Sequence, residues 1–277
     1  MSEAANLRVS VVIFRPNLRE FDATLETLAA SAAAARKRGI LGRMALDIID
    51  NGSDDETAVD ACIARAADRM PDVSVRTIRG HGNIGYGKGH NLSIRAGNED
   101  VHLVLNPDVA MSELALTHAL AHLAGHPNVV LVAPDTRGSD GVRQYLCRRY
   151  PSVLVLGLRA FAPKAITSLF QHRLHHYEMR DCIGDDASVA VPLASGCCMF
   201  VRGDALRSVG GFAPEYFVYF EDYDLSLRLS RSGRLEYVPS VQIEHHGGSS
   251  ARKGWLHVRL FVRGAFTFFR LHGWRWM

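Results

Sequence analysis

The sequence has few cysteines, no long apolar run and no large excess of charge, and each shortage excludes a class of protein. Its five cysteines form no CxxC pair, which argues against a disulfide framework or a zinc site and favours a reducing, cytoplasmic location. No apolar stretch approaches the ~20 residues of a membrane-spanning helix, and the apolar run near the N-terminus is too short for a signal peptide. With 277 residues, 47% hydrophobic and 22% charged, and a net charge of +3, the chain has the composition of a globular protein rather than of a collagen-like or disordered one.

The last part of the chain lacks acidic residues altogether. Residues 245–277 carry six Arg and Lys side chains and no Asp or Glu, and we predict that residues 251–277 form a basic amphipathic C-terminal helix. On a helical wheel Arg259, Arg263 and Arg270 form one narrow stripe on a broadly apolar surface. Such a helix packs on its own domain or on a second subunit, as in a homodimer, or it lies on the anionic surface of a membrane. The sequence leaves these alternatives open.

Strand-like and helix-like segments alternate over the first half of the chain. Val9 to Phe14 is apolar except for Ser10, as is typical of a strand buried on both faces, and Asn17 with Glu20 has the spacing of a helix start. Further predicted strands, separated by amphipathic helices, follow at 45–49, 73–78, 101–105 and 129–133. This alternation predicts an α/β fold with a mostly parallel central sheet and flanking helices.

The pattern changes after the fifth predicted strand. Residues 138–190 mix basic, aromatic and proline residues without a sustained period, and we interpret them as an irregular excursion near a functional site. A strand pattern returns at 197–202 and a helix pattern at 222–231. We therefore predict one domain over residues 7–250, followed by the C-terminal helix.

Two polar motifs stand directly after predicted strands. Asp50 and Asn51 open the motif DNGSDD after the second strand, and Asn106-Pro107-Asp108 follows the fourth. The carboxyl ends of parallel strands form the edge at which open α/β sheets bind ligands. A carboxylate at that edge, next to an asparagine carbonyl, suits Mg²⁺ or Mn²⁺ bound to a diphosphate. Each motif by itself is also a common turn.

A glycine-rich loop separates the third predicted strand from the next helix. Residues 80–85 match the dinucleotide pattern GxGxxG, and residues 82–88 match the beginning of a P-loop. Both matches fail at a specific position. The acids Glu99 and Asp100 precede a strand instead of ending one, and residue 89 is Gly where a P-loop has Ser or Thr. We interpret the loop as a place where the backbone comes close to a phosphate or a sugar.

Acidic and imidazole side chains gather in the last third of the chain. Glu221, Asp222 and Asp224 follow an aromatic run at the start of a predicted helix, where acids also interact with the helix dipole. Three carboxylates beside aromatic rings favour a raised pKa or a positioned base. His245 and His246 precede two glycines, and either one is a candidate metal ligand or phosphate donor.

The order of these motifs resembles that of the inverting family-2 glycosyltransferases of the GT-A fold, and most closely of their bacterial rhamnosyltransferase-like branch. The resemblance extends from Val9 to about Trp274. Its most specific parts are GNIGYGKGHN at 82–91, LNPDV at 105–109, and the stretch from SGCCMFVR to FEDYDLSLRLSRSG at 195–233. It implies a GT-A, Rossmann-like α/β domain whose excursion lies on the acceptor side.

The resemblance also implies roles for individual residues on the donor side. Asp50 would contact the nucleotide base, with Asn51 beside it. Asn83, Gly85 and Asn91 would line the donor pocket.

A metal site and a catalytic pair follow from the same resemblance. Asn106-Pro107-Asp108 resembles the metal-binding motif of this branch, with Asn106 in place of its first acid and Asp108 as the ligand of Mg²⁺ or Mn²⁺. His245 would complete the metal site, with His246 as the competing choice. Glu221-Asp222 resembles the catalytic pair of the family, in which the second acid, Asp222, is the base.

The predicted activity combines these parts. A base opposite the leaving group gives inversion in one displacement, and a divalent cation neutralises the departing diphosphate. The resemblance implies metal-dependent transfer of a sugar, L-rhamnose from dTDP-L-rhamnose, to a glycan or lipid-linked oligosaccharide that serves as a cell-surface glycan precursor. We expect the enzyme to work in the cytoplasm, peripheral on the inner face of the cytoplasmic membrane.

Three alternatives stay open at the level of sequence. The same reaction would also be possible with a UDP-hexose or with UDP-galactofuranose. An NAD(P)-dependent oxidoreductase would use the glycine loop but would leave the NPD and FEDYD motifs without a role. A polyanion-binding module would use the acid-free C-terminus, but because acids gather at the ligand edge we expect no nucleic-acid partner.

Overall fold

The computed structural model describes residues 4–246 and 254–277. Its strands are β1 (Ala5–Ile13), β2 (Leu41–Asp50), β3 (Val73–Ile78), β4 (Val101–Leu105), β5 (Val109–Met111), β6 (Val129–Arg137), β7 (Val189–Ala190), β8 (Cys198–Arg202) and β9 (Arg234–His245). Its helices are α1 (Leu18–Lys37), α2 (Glu56–Arg69), α3 (Tyr86–Ile94), α4 (Ala115–Gly125), α5 (Val153–Phe161), α6 (Lys164–Leu169), α7 (Gln171–Tyr177), α8 (Gly203–Ser208), α9 (Glu221–Leu229) and α10 (Trp255–His272). The glycines after His246 and the first three residues of the predicted C-terminal helix lie outside the described residues.

The strands form one sheet in the order β3-β2-β1-β4-β8-β6-β9-β5, and β7 pairs with β9. The neighbours β3, β2, β1 and β4 all run parallel, as the alternation with helices predicts. β8 runs antiparallel to β4 and β6, and β5 and β7 run antiparallel to β9. The predicted parallel character therefore holds for the first half of the sheet, whereas the second half is mixed, with β6 parallel to β9 and antiparallel to β8.

Two segments differ from their predictions. The excursion at 138–190 is not irregular throughout, because it contains α5, α6 and α7. These helices have six to nine residues, too few to display a helical period in the sequence. The long strand β9 was not predicted at all, since it mixes buried and exposed positions without strict alternation.

Helices cover both faces of the sheet. On one face α1, α2 and α4 share a core with the strands, in which Phe21, Leu25 and Leu28 are fully buried. On the other face α3, α8 and α9 pack on the strands through a second core that includes Leu206 and Leu225. Strands that are buried on both faces have nearly continuous apolar sequences, and this explains the apolar runs from which these strands were predicted.

The register of the parallel strands brings the polar motifs to one edge. Ile13 of β1 lies opposite Asp50 of β2, and Val11 of β1 lies opposite Leu105 of β4. The motifs that follow β2 and β4 therefore lie close together at the carboxyl edge of the sheet. This is the arrangement that the sequence predicted.

The C-terminal helix α10 packs on its own domain. Its Gly264, Phe268 and Phe269 are buried, and the two phenylalanines join a small core with Phe220 of the acidic motif. The opposite face of α10 is exposed and includes Arg259, Arg263 and Arg270. The helix thus has one face bound to the domain and one face open for a partner.

Candidate active site

Asp50 is buried at the end of β2 and organises the turn that follows. Its Oδ1 accepts hydrogen bonds from the Gly52 N–H at 3.0 Å and from the Ser53 hydroxyl at 2.8 Å, and its Oδ2 accepts one from Arg79 Nε at 3.2 Å. Gly52 has a φ of +133°, which favours glycine. The carboxylate therefore shapes this turn, and its contact with a nucleotide base stays a prediction.

Asn51 joins this turn to the glycine-rich loop. Its Nδ2 donates a hydrogen bond to the Gly85 carbonyl oxygen at 3.0 Å, while its Oδ1 is buried and finds no hydrogen-bond partner within the described residues. Asn83 is exposed on the same loop, and its Oδ1 accepts a hydrogen bond from the Gly85 N–H at 3.1 Å. The structure thus brings together Asn51, Asn83 and Gly85, which the sequence placed on the donor side.

Gly85 allows the loop to pass close to another backbone segment. Its φ is +90°, and a Cβ at this position would lie 2.4 Å from the Phe217 carbonyl oxygen. The N–H of Tyr86, the first residue of α3, donates a hydrogen bond to the same carbonyl at 2.9 Å. The glycine loop is therefore held directly against the segment that leads into the acidic motif.

The side-chain amide of Asn91 is engaged inside the protein. Its Nδ2 donates to the Phe212 carbonyl oxygen at 2.8 Å, and its Oδ1 accepts from the Phe212 N–H at 2.9 Å. Asn91 itself is buried, and these two bonds hold the turn at Phe212 against α3. We therefore interpret Asn91 as a structural residue and leave it out of the donor contacts proposed below.

Asp108 and His245 are brought together by the pairing of two strands far apart in the sequence. β5 begins directly after Asp108 and pairs with β9, so that Val109 lies opposite His245. His245 Nε2 lies 3.4 Å from Asp108 Oδ1. Because a carboxylate oxygen and an imidazole nitrogen are both ligands of Mn²⁺ and related cations, the pair fits a divalent-cation site.

Gln144, a residue of the excursion, orients His245. Its Oε1 lies 3.2 Å from His245 Nδ1, and its Nε2 donates a hydrogen bond to the His245 carbonyl oxygen at 3.0 Å. An acceptor at Nδ1 keeps the ring proton there and leaves the Nε2 lone pair directed towards Asp108, as is usual for metal-binding histidines. His246 lies instead 3.5 Å from Glu244. The geometry favours His245 over His246 as the partner of Asp108.

Asp108 and His245 are the two candidate ligands that the described residues bring together. Within residues 4–246 and 254–277 no group of three or more His, Cys, Asp or Glu side chains is arranged to hold a metal ion. A cation at the pair would therefore keep coordination positions for oxygen atoms of a substrate. Asn106, in place of the first acid of the motif, donates its backbone N–H to the Cys197 carbonyl at 2.8 Å.

The acidic pair follows a strained turn. Tyr219 and Phe220 have φ values of +72° and +70°, in the left-handed region that aromatic residues rarely adopt. The turn leads directly into α9 and brings Glu221 into a position where it is only 5% exposed. Backbone strain of this kind persists only where the surrounding packing enforces it, and it is frequent at functional sites.

The two neighbouring carboxyl groups have different surroundings. Asp222 accepts hydrogen bonds from the N–H groups of Gly196 and Tyr223, both at 2.9 Å, whereas Glu221 Oε2 has no hydrogen-bond partner within the described residues. Burial raises the pKa of both carboxyls, and the charge of Asp222 raises the Glu221 pKa further. Since N–H donors stabilise the ionised form, the two donors favour the negative charge on Asp222.

The loop before β8 links the acidic pair to the candidate metal pair. Besides its bond to Asp222, Gly196 accepts a hydrogen bond from the Tyr86 hydroxyl at 2.6 Å, and a Cβ on Gly196 would lie 3.4 Å from Asp222 Cβ. Burial raises the pKa of the neighbouring Cys197 to about 12, and Asp108 and Asp222 both act in the same direction. Both carboxylates therefore lie near enough to this buried thiol for their charges to act on it.

A cavity of about 510 Å³ opens over the acidic pair. Glu221 and Asp222 contribute to its lining, together with Tyr177 and Tyr223. Its opposite walls come from α5, with Arg159 and Phe161, and from α10, with His257 and Phe261. Aromatic walls with a few polar groups suit a substrate that carries a sugar ring.

Arg148 is a buried cation near Asp222 that sequence reasoning missed. Its backbone N–H donates to the Leu193 carbonyl at 2.9 Å, and its guanidinium lies 5.7 Å from the centre of the Tyr177 ring. Burial raises the Asp222 pKa, and the charge of Arg148 acts in the opposite direction. No signal in the sequence distinguishes Arg148 from its neighbour Arg149, which lies on the surface and pairs with Asp181.

The described helices include no candidate membrane span, because none of them is both long enough and apolar enough to cross a bilayer.

The chain shares its fold with solved glycosyltransferases. A mannosyltransferase of Pyrobaculum calidifontis, solved with GDP-Man and Mn²⁺, superposes with a TM-score of 0.62 at 16% identity, over 95% of this chain and 61% of that one. GalNAc-T7, solved with UDP, GalNAc and Mn²⁺, superposes with a TM-score of 0.61 at 13% identity, over 88% of this chain and 44% of that one. Identities this low show the fold alone, which is the predicted GT-A fold.

The sequence is similar to those of rhamnosyltransferases. It is 31% identical over 271 residues to the N-acetylglucosaminyl-diphospho-decaprenol L-rhamnosyltransferase of Mycobacterium tuberculosis, over 90% of this chain and 81% of that protein. It is 29% identical over 172 residues to Rhamnosyltransferase WbbL of Escherichia coli K12, over 58% of this chain and 61% of that protein.

The family model described as "Glycosyltransferase like family 2" matches residues 7–267, a range that contains every candidate site residue. Neither the oxidoreductase nor the polyanion-binding alternative gains support from these similarities. The predicted resemblance is confirmed, and this chain is a glycosyltransferase that belongs to family 2.

Proposed function

We propose that this enzyme transfers L-rhamnose from dTDP-L-rhamnose to a lipid-linked glycan acceptor, with inversion at the anomeric carbon and with the help of a divalent cation. The observation that supports the proposal most directly is that Asp222 lines the cavity, while Asp222 and Asp108, the partner of His245, both lie close to Cys197. A single displacement needs a base and a stabilised leaving group around one carbon atom, and these residues supply both.

Asp222 acts as the base. Its carboxylate takes the proton of the acceptor hydroxyl while the oxygen forms a bond to the anomeric carbon and the bond from that carbon to the diphosphate breaks. Glu221 stays protonated beside it, because a second buried charge next to Asp222 is unfavourable. The neutral Glu221 also avoids repulsion of the departing diphosphate.

Asp108 and His245 hold Mg²⁺ or Mn²⁺, with Gln144 fixing the imidazole of His245. When bound, the cation neutralises the negative charge that develops on the leaving diphosphate. The solved structures of similar fold that contain Mn²⁺ support this assignment. The specific cation is part of the proposal.

Asp50, Asn51, Asn83 and Gly85 form the donor side. Asp50 accepts a hydrogen bond from the nucleotide base at the carboxyl end of β2, and the loop around Gly85 brings backbone close to the sugar nucleotide. The choice of L-rhamnose rests on the two relatives named as rhamnosyltransferases.

The acceptor carries a lipid, as the name of the mycobacterial relative states for that enzyme. We propose that the enzyme works in the cytoplasm on the inner face of the cytoplasmic membrane, with the exposed arginines of α10 facing anionic lipid.

A transfer assay tests the function. The full chain is incubated with Mn²⁺, an N-acetylglucosaminyl diphosphate on a short soluble lipid, and dTDP-L-rhamnose, UDP-glucose or UDP-galactofuranose as donor. We expect rhamnosyl transfer with inverted configuration, its loss in EDTA, and a higher Mn²⁺ requirement in His245→Ala, because one ligand is removed, but not in His246→Ala. Preference for a UDP-sugar would refute the donor, and full activity in EDTA would refute the cation.

A further inference from the structure

We propose that the α5–α6 segment and α10 form one docking rim around the catalytic cavity, and that this rim rests on a bilayer that contains anionic lipids. The docking rim is defined as residues 161–170 and 254–277. It rests on the proposed function only in that a lipid-linked acceptor gives the contact a purpose.

Exposed apolar side chains are concentrated on the docking rim. Within the described part of the chain, twelve of the fifteen large apolar side chains that are exposed lie on it. On the α6 side Leu169 is 81% exposed and Ile166 44%, and on the α10 side Trp255 is 81% exposed. Soluble domains rarely leave so many large apolar groups together in water, which indicates a surface that is covered in use.

The two parts of the docking rim adjoin the same cavity. Phe161 at the end of α5 and Val258 near the beginning of α10 both line it. At the other end of α5, the N–H of Val153 donates to the Arg275 carbonyl at 2.8 Å. Because α6 follows α5 after two residues, the exposed apolar side chains of α6 and α10 belong to segments that adjoin this cavity.

Acidic residues are missing from the segments that form this surface. Residues 141–177 and 245–277 contain no Asp or Glu, and each carries six Arg and Lys side chains, so that all 29 acidic residues lie elsewhere in the chain. Arg173, Arg259 and Arg263 are exposed and form no ion pair with any residue that the structure describes. Unpaired arginines beside exposed aromatic and aliphatic groups match the phosphates and acyl chains of an anionic bilayer.

The placement has a consequence for the acceptor. A bilayer at the docking rim lies next to the cavity that contains Asp222, so the head of a lipid-linked acceptor reaches the base while its lipid chain stays in the membrane. The apolar groups of α6 extend the membrane contact beyond α10, because α6 follows the cavity-lining end of α5.

Vesicle binding tests the proposal without donor or acceptor, so that its failure is separate from a failure of rhamnosyl transfer. The full chain is co-sedimented at low salt with vesicles of phosphatidylcholine, with or without phosphatidylglycerol. We expect preference for the anionic vesicles and at least tenfold weaker binding by Ile166→Glu/Leu169→Glu, since each buried aliphatic side chain contributes about tenfold. Val142→Glu puts the same acid at a 63% exposed position outside the docking rim and should bind like the wild type.

Thermal unfolding of each variant separates docking from folding. If the double variant is destabilised, Leu169→Ser provides the test instead. It shortens an 81% exposed side chain without adding charge and should still weaken vesicle binding several-fold. Wild-type binding by a folded double variant, or by Leu169→Ser, would overturn the proposal. Equal binding of the wild type to both kinds of vesicle, or an equal loss in Val142→Glu, would do so as well.

Discussion

Glu221 and Asp222 are adjacent in the chain, yet their chemistry differs because their hydrogen-bond donors differ. Two N–H groups point at Asp222, whereas Glu221 Oε2 has none within the described residues. Each carboxyl is buried, so without donors its neutral form is favoured. The division into one acid and one base that we propose therefore depends on the loop at Gly196 and the first turn of α9.

Replacing Asp222 by Asn tests this division. Asp222→Asn keeps one side-chain oxygen that accepts a hydrogen bond, but the amide cannot take a proton from the acceptor. We therefore expect kcat to fall ~10²–10⁴-fold with donor binding retained. Glu221→Gln keeps the neutral state of Glu221 and serves as the matched control, with a much smaller effect. Near-wild-type kcat in Asp222→Asn would assign the base elsewhere.

Among the secondary-structure elements, α10 packs against the strained turn formed by Tyr219 and Phe220. A Cβ on Gly264 would lie 2.7 Å from the Tyr219 carbonyl oxygen and 3.1 Å from Phe220 Cδ2. The Tyr219 hydroxyl also lies 2.9 Å from His257 Nδ1, and His257 belongs to the part of α10 that lines the cavity. The helix is therefore part of the packing that keeps Tyr219 and Phe220 at positive φ, and with them the acidic pair.

Gly264→Ala tests the role of α10 in the active site. The added methyl has to displace a backbone carbonyl, and overpacking of this kind costs about 1–3 kcal/mol of unfolding free energy. We expect lower stability and a lower kcat, measured by urea unfolding and the transfer assay. Gly157→Ala in α5 is the control, because its Cβ would meet no described atom within 4 Å. Unchanged kcat in a destabilised Gly264→Ala would show that the turn at Tyr219 and Phe220 keeps its conformation without support from α10.

At the scale of the whole molecule, two buried histidines lie between the sheet and α3. The Ser10 hydroxyl lies 2.7 Å from His90 Nδ1 and 2.8 Å from His102 Nε2. Burial lowers the pKa of both rings, that of His102 to about 3. In the folded protein both stay neutral, whereas in the unfolded chain they bind protons below their usual pKa of 6.5.

This difference makes folding sensitive to acid. A lowered folded-state pKa means that the unfolded chain binds more protons, so stability falls as the pH drops below about 6.5 and continues to fall towards pH 3 for His102. One such histidine contributes a slope of about 1.4 kcal/mol per pH unit within this window. We measure the free energy of unfolding by urea at pH 7, 6 and 5. We expect its slope against pH to be smaller in His102→Gln than in the wild type by about this amount. Parallel pH profiles of the two proteins would contradict the assignment.

Much of this molecule followed from its sequence alone. The apolar runs of β1 to β4 and the helices between them predicted a parallel half-sheet, because burial on both faces requires such runs. Once these strands are parallel, Asp50 and Asp108 must lie at one carboxyl edge. The order of motifs indicated the family, and the family model confirms it.

Other features depended on contacts between distant segments, which local patterns do not encode. The choice of His245 over His246 came from the pairing of β5 with β9 and from Gln144, a residue 101 positions away in the chain. The engagement of Asn91 with Phe212, the positive φ of two aromatic residues against Gly264, and the contact of α5 with the C-terminal segment all arise from packing. Side-chain periodicity specifies which face of an element is buried, but only the tertiary structure decides which other element buries it.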